Sequence, residues 1–284
     1  MARVLIAGCG YVGGILGQML VADGHQVWGL RRGAAGLPEG IRPVRGDLTR
    51  AETLGGLPEG IDFAFFTAGA KSRDEMAYRS TYLDGIGNLL RALGEQGERP
   101  RRVFFTSSTS VYAQKRGEWV DEESVTAPTR FSGDILLLSE RLLLASSFPA
   151  TVLRLGGIYG PGRTSLIERV RGGTALRRPG PPHYTNRIHR YDAAGALRHL
   201  MTRASEPENL YLGVDGEPAD ESEVLCWLAD RLGRPYPPEG ETSSAARRGT
   251  GSKRCRNARL LATGYRFRYP SYREGYEALL REGD

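Results

Sequence analysis

Three glycines near the start of the chain, Gly8, Gly10 and Gly13, stand in the order G-x-G-x-x-G. Arg3–Ala7 before them reads as a short buried strand, and Ile15–Ala22 after them carries helical periodicity. Strand, glycine turn and helix in that order make an arrangement that grips a dinucleotide. Gly8 permits the tight turn and Gly10 lets the backbone approach a pyrophosphate, with Tyr11 and Val12 completing the turn. Gly13 lets the helix pack close to the strand, so that the helix N-terminus points its free N–H groups at the anion. A second pair, Arg31-Arg32, follows the expected strand Gln26–Leu30. An NAD site usually carries an acidic residue there for the ribose 2′-OH, whereas arginine suits the 2′-phosphate of NADP. No Asp or Glu occurs between His25 and Pro38, so the pattern favours NADP, with NAD as the alternative.

The elements that must position these residues alternate along the chain. Strands are expected at Ile41–Gly46, Asp62–Thr67, Arg102–Ser108 and Thr151–Leu155, with helices over Glu75–Leu93 and Gly133–Ala145. Asp47-Leu48 follows the third strand, where an adenine ring would lie. Thr67-Ala68-Gly69 closes the fourth with small residues that let the backbone pass beneath a cofactor. This alternation predicts an α/β doubly wound parallel sheet, the Rossmann arrangement, in strand order 3-2-1-4-5-6 with ligands at the strand C-terminal ends. From Gly156 the texture changes to turn-rich loops, a short strand at Asn186–Arg190, and a helix Ala193–Met201 with Asp192 as its N-cap. A strand Leu210–Val214, a helix Glu221–Leu232, a mobile polar stretch Gly240–Lys253 and a closing helix Tyr272–Arg281 capped by Ser271 follow. The expected division is a dinucleotide domain over 1–156, its last elements completed from 186–213. A small substrate lobe over 157–284, without a sizeable core of its own, makes up the rest.

The 284 residues carry a formal charge of +6, with the arginines scattered and no basic tail, so nucleic acid is not an expected partner. Cys9, Cys226 and Cys255 lie far apart without a C-x-x-C pair, which argues against a disulfide framework or a metal site. Met1 leads straight into a strand and no apolar run is long enough to span a bilayer. The expectation is a cytoplasmic protein without membrane contact.

Taken together, GCGYVG, Gly46-Asp47-Leu48, TSSTSVY at 106–112, LRLGGIYGPGR at 153–163 and IHRYD at 188–192 resemble the extended short-chain dehydrogenase/reductases. These form the NAD-dependent epimerase/dehydratase family, and the likeness spans nearly the whole chain. It implies that Ser108 is the catalytic serine position and that Tyr159, Gly160 and Pro161 lie beside the nicotinamide. It also implies that His189 mainly braces a lobe junction, and that two copies pair as a homodimer through the helices after the fourth and fifth strands. Leu136–Leu138 and Leu142–Leu144 would supply an apolar face for such pairing, and a buried core helix would carry the same leucines.

One departure governs the chemistry. The family's acid/base is Tyr-x-x-x-Lys with a glutamate four residues beyond, and alignment on Glu140 puts Ser132 and Leu136 in the Tyr and Lys positions. The helix thus resembles that of an atypical bacterial subgroup with S-G in place of Y-G. Where the family often has an asparagine, the chain has Tyr82. The remaining candidates for handling a proton are Ser108, Tyr82 and Tyr112, with Tyr159 nearby in the alignment. Lys71, Arg163 and Arg187 are candidate anchors for an anionic group of a small-molecule substrate, with His189 on the same strand face as Arg187. Two readings stay open: an NADP-dependent oxidoreductase or epimerase-like enzyme using Ser108 and a non-standard proton donor, or a dinucleotide-binding sensor or scaffold without turnover.

Overall fold

The computed structural model describes residues 1–33, 36–97, 99–203, 206–240 and 251–282, so most of the stretch 240–253 lies outside the described residues. By its internal contacts the chain forms two compact units. The first gathers 1–111, 127–154 and 193–211, and the second 112–126, 155–192 and 212–284. This differs from a single break after 156 with the first domain completed from 186–213: 112–126 groups with the second unit, and 193–211 with the first.

The central sheet has seven strands: β1 (Arg3–Ala7), β2 (Gln26–Arg31), β3 (Ile41–Arg45), β4 (Phe63–Phe66), β5 (Arg102–Ser108), β6 (Ala150–Leu155) and β7 (Leu210–Gly213). They are parallel and lie in the order β7-β6-β5-β4-β1-β2-β3, the expected order extended by one strand. Ile6 of β1 sits between Gly29 of β2 and Phe65 of β4 in register. Strands buried on both faces need apolar side chains at every position, and Phe65 stacks on Phe104 of β5 at 4.6 Å between ring centroids.

Helix α1 (Gly13–Ala22) covers one face. It lies so close that a Cβ on Gly17 would be 2.4 Å from Ile41 Cδ1. The long helix expected over 75–93 is present but interrupted. It runs as α-helix Glu75–Tyr78, a π-helical turn Arg79–Asp84, then α2 (Gly85–Glu95). A π turn offsets the side chains that follow it relative to a regular helix, and such turns are frequent at functional sites. Helix α3 (Phe131–Leu144) buries Leu136, Leu137 and Leu143, and leaves Leu138, Leu142 and Leu144 exposed.

Helix α4 (Arg190–Thr202) starts two residues before Asp192, so that residue is not the cap expected of it. Its buried carboxylate instead accepts from the backbone N–H groups of Arg268 (2.7 Å) and Tyr269 (2.9 Å) and from the Tyr265 hydroxyl (2.9 Å). The second unit builds its own core from Tyr159, Ile167, Val170, Val224, Leu225, Leu228, Tyr272 and Tyr276, among others. The expectation that the second half has no sizeable core therefore fails. Helices α5 (Glu221–Arg231) and α6 (Tyr272–Glu282) supply most of it, with Ile167 and Val170 of the short helix Ser165–Arg171 and Tyr159 of the strand Gly157–Tyr159 adding to it. Ser271 does cap α6, its Oγ accepting from Arg273 N at 3.1 Å.

Candidate functional site

The glycine turn joins β1 to α1 as its spacing requires. Gly8 has φ +94°, a region that side chains other than glycine rarely adopt, and a Cβ there would fall 2.3 Å from Ala68 N. A Cβ on Gly13 would lie 2.5 Å from Thr67 Oγ1, and that hydroxyl donates to Gly8 O at 3.0 Å. Thr67 and Ala68 thus brace the turn from β4. Gly10 is different: a Cβ there would meet only Gly8 O, at 3.8 Å, so the backbone faces open space. No side chain caps α1, whose first turn also lacks any acidic residue. A cradle of small residues at an uncapped helix N-terminus fits a pyrophosphate.

At the end of β2, Arg31 Nη1 donates to Gly36 O at 3.4 Å. Its charge reaches the Cys9 thiol, whose pKa burial nevertheless pushes up to about 11, so that thiol is inert. Arg32 is exposed. Asp47 accepts from Thr49 N (3.0 Å) and Thr49 Oγ1 (2.9 Å). Partial burial raises its pKa, but those bonds and the charges of Arg32 and Arg50 outweigh this and hold it below the usual carboxylate range. Leu48 is buried, and its carbonyl accepts from Asn88 Nδ2 at 2.9 Å. Asn88, one turn into α2, has no signature visible in the sequence.

The same unit holds two of the candidate proton-handling groups. Ser108 ends β5, and its Oγ accepts from Ser110 N at 3.1 Å, leaving its O–H to donate elsewhere. Tyr82 is carried on the π turn, with its hydroxyl at 4.0 Å from where a Cβ of Gly69 would be. Tyr78 packs on it at 5.2 Å and meets Phe131 of α3 edge-on at 5.6 Å. Ser132 and Leu136 occupy α3 as aligned, and Leu136 is 4% exposed. Glu140 is buried with Arg154, which donates through Nη2 at 2.6 Å, while Ser107 Oγ donates to Glu140 Oε1 at 2.5 Å. This buried charge cluster fixes the residue preceding Ser108. Lys71 is exposed on the segment after β4.

The second unit holds the remaining candidates. Tyr112 is buried and its hydroxyl donates to Asp121 O at 2.8 Å, a structural tie. Tyr159 packs against His189 and Tyr276, at 5.2 Å and 4.6 Å between ring centroids. Its hydroxyl is buried without a hydrogen bond, and burial drives its pKa upward, so the phenol stays protonated. Gly160 accepts from Arg163 N at 2.8 Å and Pro161 O accepts from Arg190 Nη1 at 3.2 Å, which holds the loop that includes exposed Arg163. His189 is buried among Tyr159, Tyr191 and Tyr269, with its pKa lowered to about 4 by burial and by Arg190 and Arg268. That shift favours the neutral ring near pH 7, and its Nδ1 accepts from Tyr191 N at 3.3 Å. Arg187 is buried as well, its guanidinium 5.9 Å over Tyr272.

Two buried groups in this unit carry no sequence signal. Asp215 is buried with Oδ2 unbonded, and burial raises its pKa to about 8. Lys253 is 3% exposed, donates to Tyr112 O at 3.5 Å, and has its pKa lowered by burial. Among the described residues no group of His, Cys, Asp or Glu could hold a metal ion, and no helix is long and apolar enough to cross a membrane.

The turn, the parallel sheet and the open backbone at Gly10 define a dinucleotide-binding Rossmann protein. The sequence pattern of the NAD dependent epimerase/dehydratase family matches residues 4–178, and the chain belongs to that family. Its S-G helix is consistent with an atypical member. A solved structure from Methylobacillus flagellatus, described as an NAD-dependent epimerase/dehydratase, is 38% identical, with TM-score 0.83 over 99% of this chain and 98% of that one. A Streptomyces 3-diazoavenalumate denitrifying reductase is 30% identical, covering 96% of this chain and 98% of its own length. A 3 beta-hydroxysteroid dehydrogenase/Delta 5-->4-isomerase of Mycobacterium tuberculosis is 27% identical, covering 84% of this chain and 71% of its own.

Proposed function

We propose that the protein is an NADP-dependent oxidoreductase acting on a small polar carbonyl compound or alcohol. The observation that carries the reading is the cradle itself: Gly8 and Gly13 admit no Cβ, while Gly10 faces open space at an uncapped helix N-terminus. Gly8, Gly10, Tyr11, Val12 and Gly13 would hold the pyrophosphate. Asp47 and Leu48 would flank the adenine, and Thr67, Ala68 and Gly69 would line the backbone path. Arg31 and Arg32, with no acid between His25 and Pro38, would meet a 2′-phosphate. The bound nicotinamide supplies two-electron redox chemistry.

The chain's own part is to hold the substrate oxygen and move a proton. Ser108 retains a donor hydrogen for that oxygen. Tyr82 is the phenol best supported as proton donor, because the π turn sets its hydroxyl beside Gly69. The Tyr112 hydroxyl donates to Asp121 O. Lys71, on the segment after β4 in the same unit as Ser108 and Tyr82, is the proposed grip for an anionic substrate group.

A second reading, a dinucleotide-binding sensor or scaffold, is favoured by Leu136, a buried apolar side chain in the place of the family lysine. The test is binding followed by turnover. NADPH should bind more tightly than NADH, and Arg31→Ala with Arg32→Ala should erase the difference; equal affinities in the unaltered protein would remove the NADP assignment. Oxidation of NADPH by any member of a panel of aldehydes, ketones and enones supports the enzyme, whereas tight binding without turnover across the panel supports the sensor. Exposed Leu138, Leu142 and Leu144 support pairing of two copies through α3, which sedimentation of a Leu138→Glu variant would check.

A further inference from the structure

Arg45 ends β3, and the parallel register sets it directly beside Arg31 at the end of β2. Residues paired in this way project to the same face of the sheet. Two contacts identify that face as the one bearing α1 and the glycine turn. Ile41 touches α1 at Gly17, and Ile41, Pro43 and Arg45 alternate onto its side. On β2, a Cβ on Gly29, two residues before Arg31 and so on its side of the strand, would lie 3.0 Å from Cys9 Cβ within the turn. The opposite face carries Trp28, with the Arg42 guanidinium 5.0 Å over its ring.

Like charges set side by side across a ladder repel, unless an anion joins them. The neighbouring arginines have other employment: Arg42 lies on Trp28, and Arg50 pairs with Glu52 at 2.8 Å. Arg45 is exposed, and among the described residues its side chain makes no hydrogen bond or ion pair.

We propose that Arg45 is a specificity-determining residue of the cofactor site, which with Arg31 holds the 2′-phosphate between the ends of β2 and β3. A phosphomonoester dianion carries two charges and three acceptor oxygens, which two guanidinium forks satisfy better than one. The proposal rests on the NADP reading above, and adds a residue from the third strand to a preference otherwise read from the second.

Calorimetric titration with 2′,5′-ADP and with 5′-AMP tests it, since the two ligands differ by the 2′-phosphate alone. The unaltered protein should prefer 2′,5′-ADP. Arg45→Ala should weaken 2′,5′-ADP by about tenfold and 5′-AMP by less than about twofold, as loss of one charged hydrogen-bond partner implies. Arg45→Lys should recover part of the loss, and added salt should weaken 2′,5′-ADP more steeply in the unaltered protein than in Arg45→Ala. Undiminished 2′,5′-ADP binding by Arg45→Ala overturns the role of Arg45 while leaving the NADP reading intact. Equal weakening of both ligands overturns it also, by showing a general effect on the adenosine site. No preference in the unaltered protein overturns both.

Discussion

Gly8 and Ala68 approach so closely that a single added methyl group would lie 2.3 Å from the Ala68 backbone nitrogen. The obstacle is main chain of the β4 end, which cannot swing aside as a flexible side chain would. Gly8→Ala should therefore cost about 2–5 kcal/mol, combining the positive φ with overpacking. Gly10 offers the contrast, with open space around it. Gly10→Ala should leave the urea midpoint unchanged and lower dinucleotide affinity by at least about tenfold, because the new methyl group occupies the anion's approach. A Gly10→Ala protein that binds the cofactor normally would move the pyrophosphate elsewhere.

If the protein turns over, Tyr82→Phe should slow the reaction by about 100-fold, within the usual range for losing a general acid. Cofactor affinity should stay unchanged, since ring packing against Tyr78 is retained. Ser108→Ala should slow it by about tenfold or more. Normal rates for both, measured as NADPH oxidation, would place the chemistry on other groups.

The ion pair between Glu140 and Arg154 is buried in the first unit. Arg154→Ala leaves an uncompensated carboxylate next to Ser107 and should destabilise by about 3–5 kcal/mol. Chemical denaturation checks this. A cost under about 1 kcal/mol would mean that the cluster is hydrated in solution.

Stability should fall as pH rises from the acid side of neutrality towards about 8, and Asp215 is the cause. Burial raises its folded-state pKa to about 8, against the ordinary 3.8, although the backbone N–H of Glu217 and the Arg187 charge oppose the rise. The folded state thus keeps a proton that the unfolded chain releases, so this contribution is complete below the ordinary value and is lost as pH climbs through the raised one. Asp215→Asn should flatten the decline between pH 5.5 and 8.5, measured as urea midpoints of both proteins. His189 acts with the opposite sign. Its pKa is lowered to about 4, so its contribution is lost as pH falls from the ordinary 6.5 towards that value.

Much of the first unit was legible because its signals are local. The glycine spacing, the apolar strands and the alternation with helices each need only neighbouring residues, and they gave the sheet order correctly through six strands. Asp192 shows where locality misleads. An acid before a helical run reads as a cap, yet its carboxylate is taken by Arg268 and Tyr269, more than 70 residues away in sequence. The π turn was equally hidden, because Arg79–Asp84 buries no residue and so leaves no apolar pattern that would mark the offset.

By itself the sequence determined the dinucleotide turn, the parallel sheet and the absence of Tyr-x-x-x-Lys, since each depends on residue type at short, fixed spacing. Only the tertiary structure decided that the Tyr112 hydroxyl is tied to Asp121, that His189 is packed neutral among aromatic rings, and that Tyr82 stands beside Gly69. It also set Arg45 next to Arg31 and buried Lys253 and Asp215. Burial and strand register arise from partners distant along the chain, and those partners decide which side chains keep their charge and which remain free to meet a ligand.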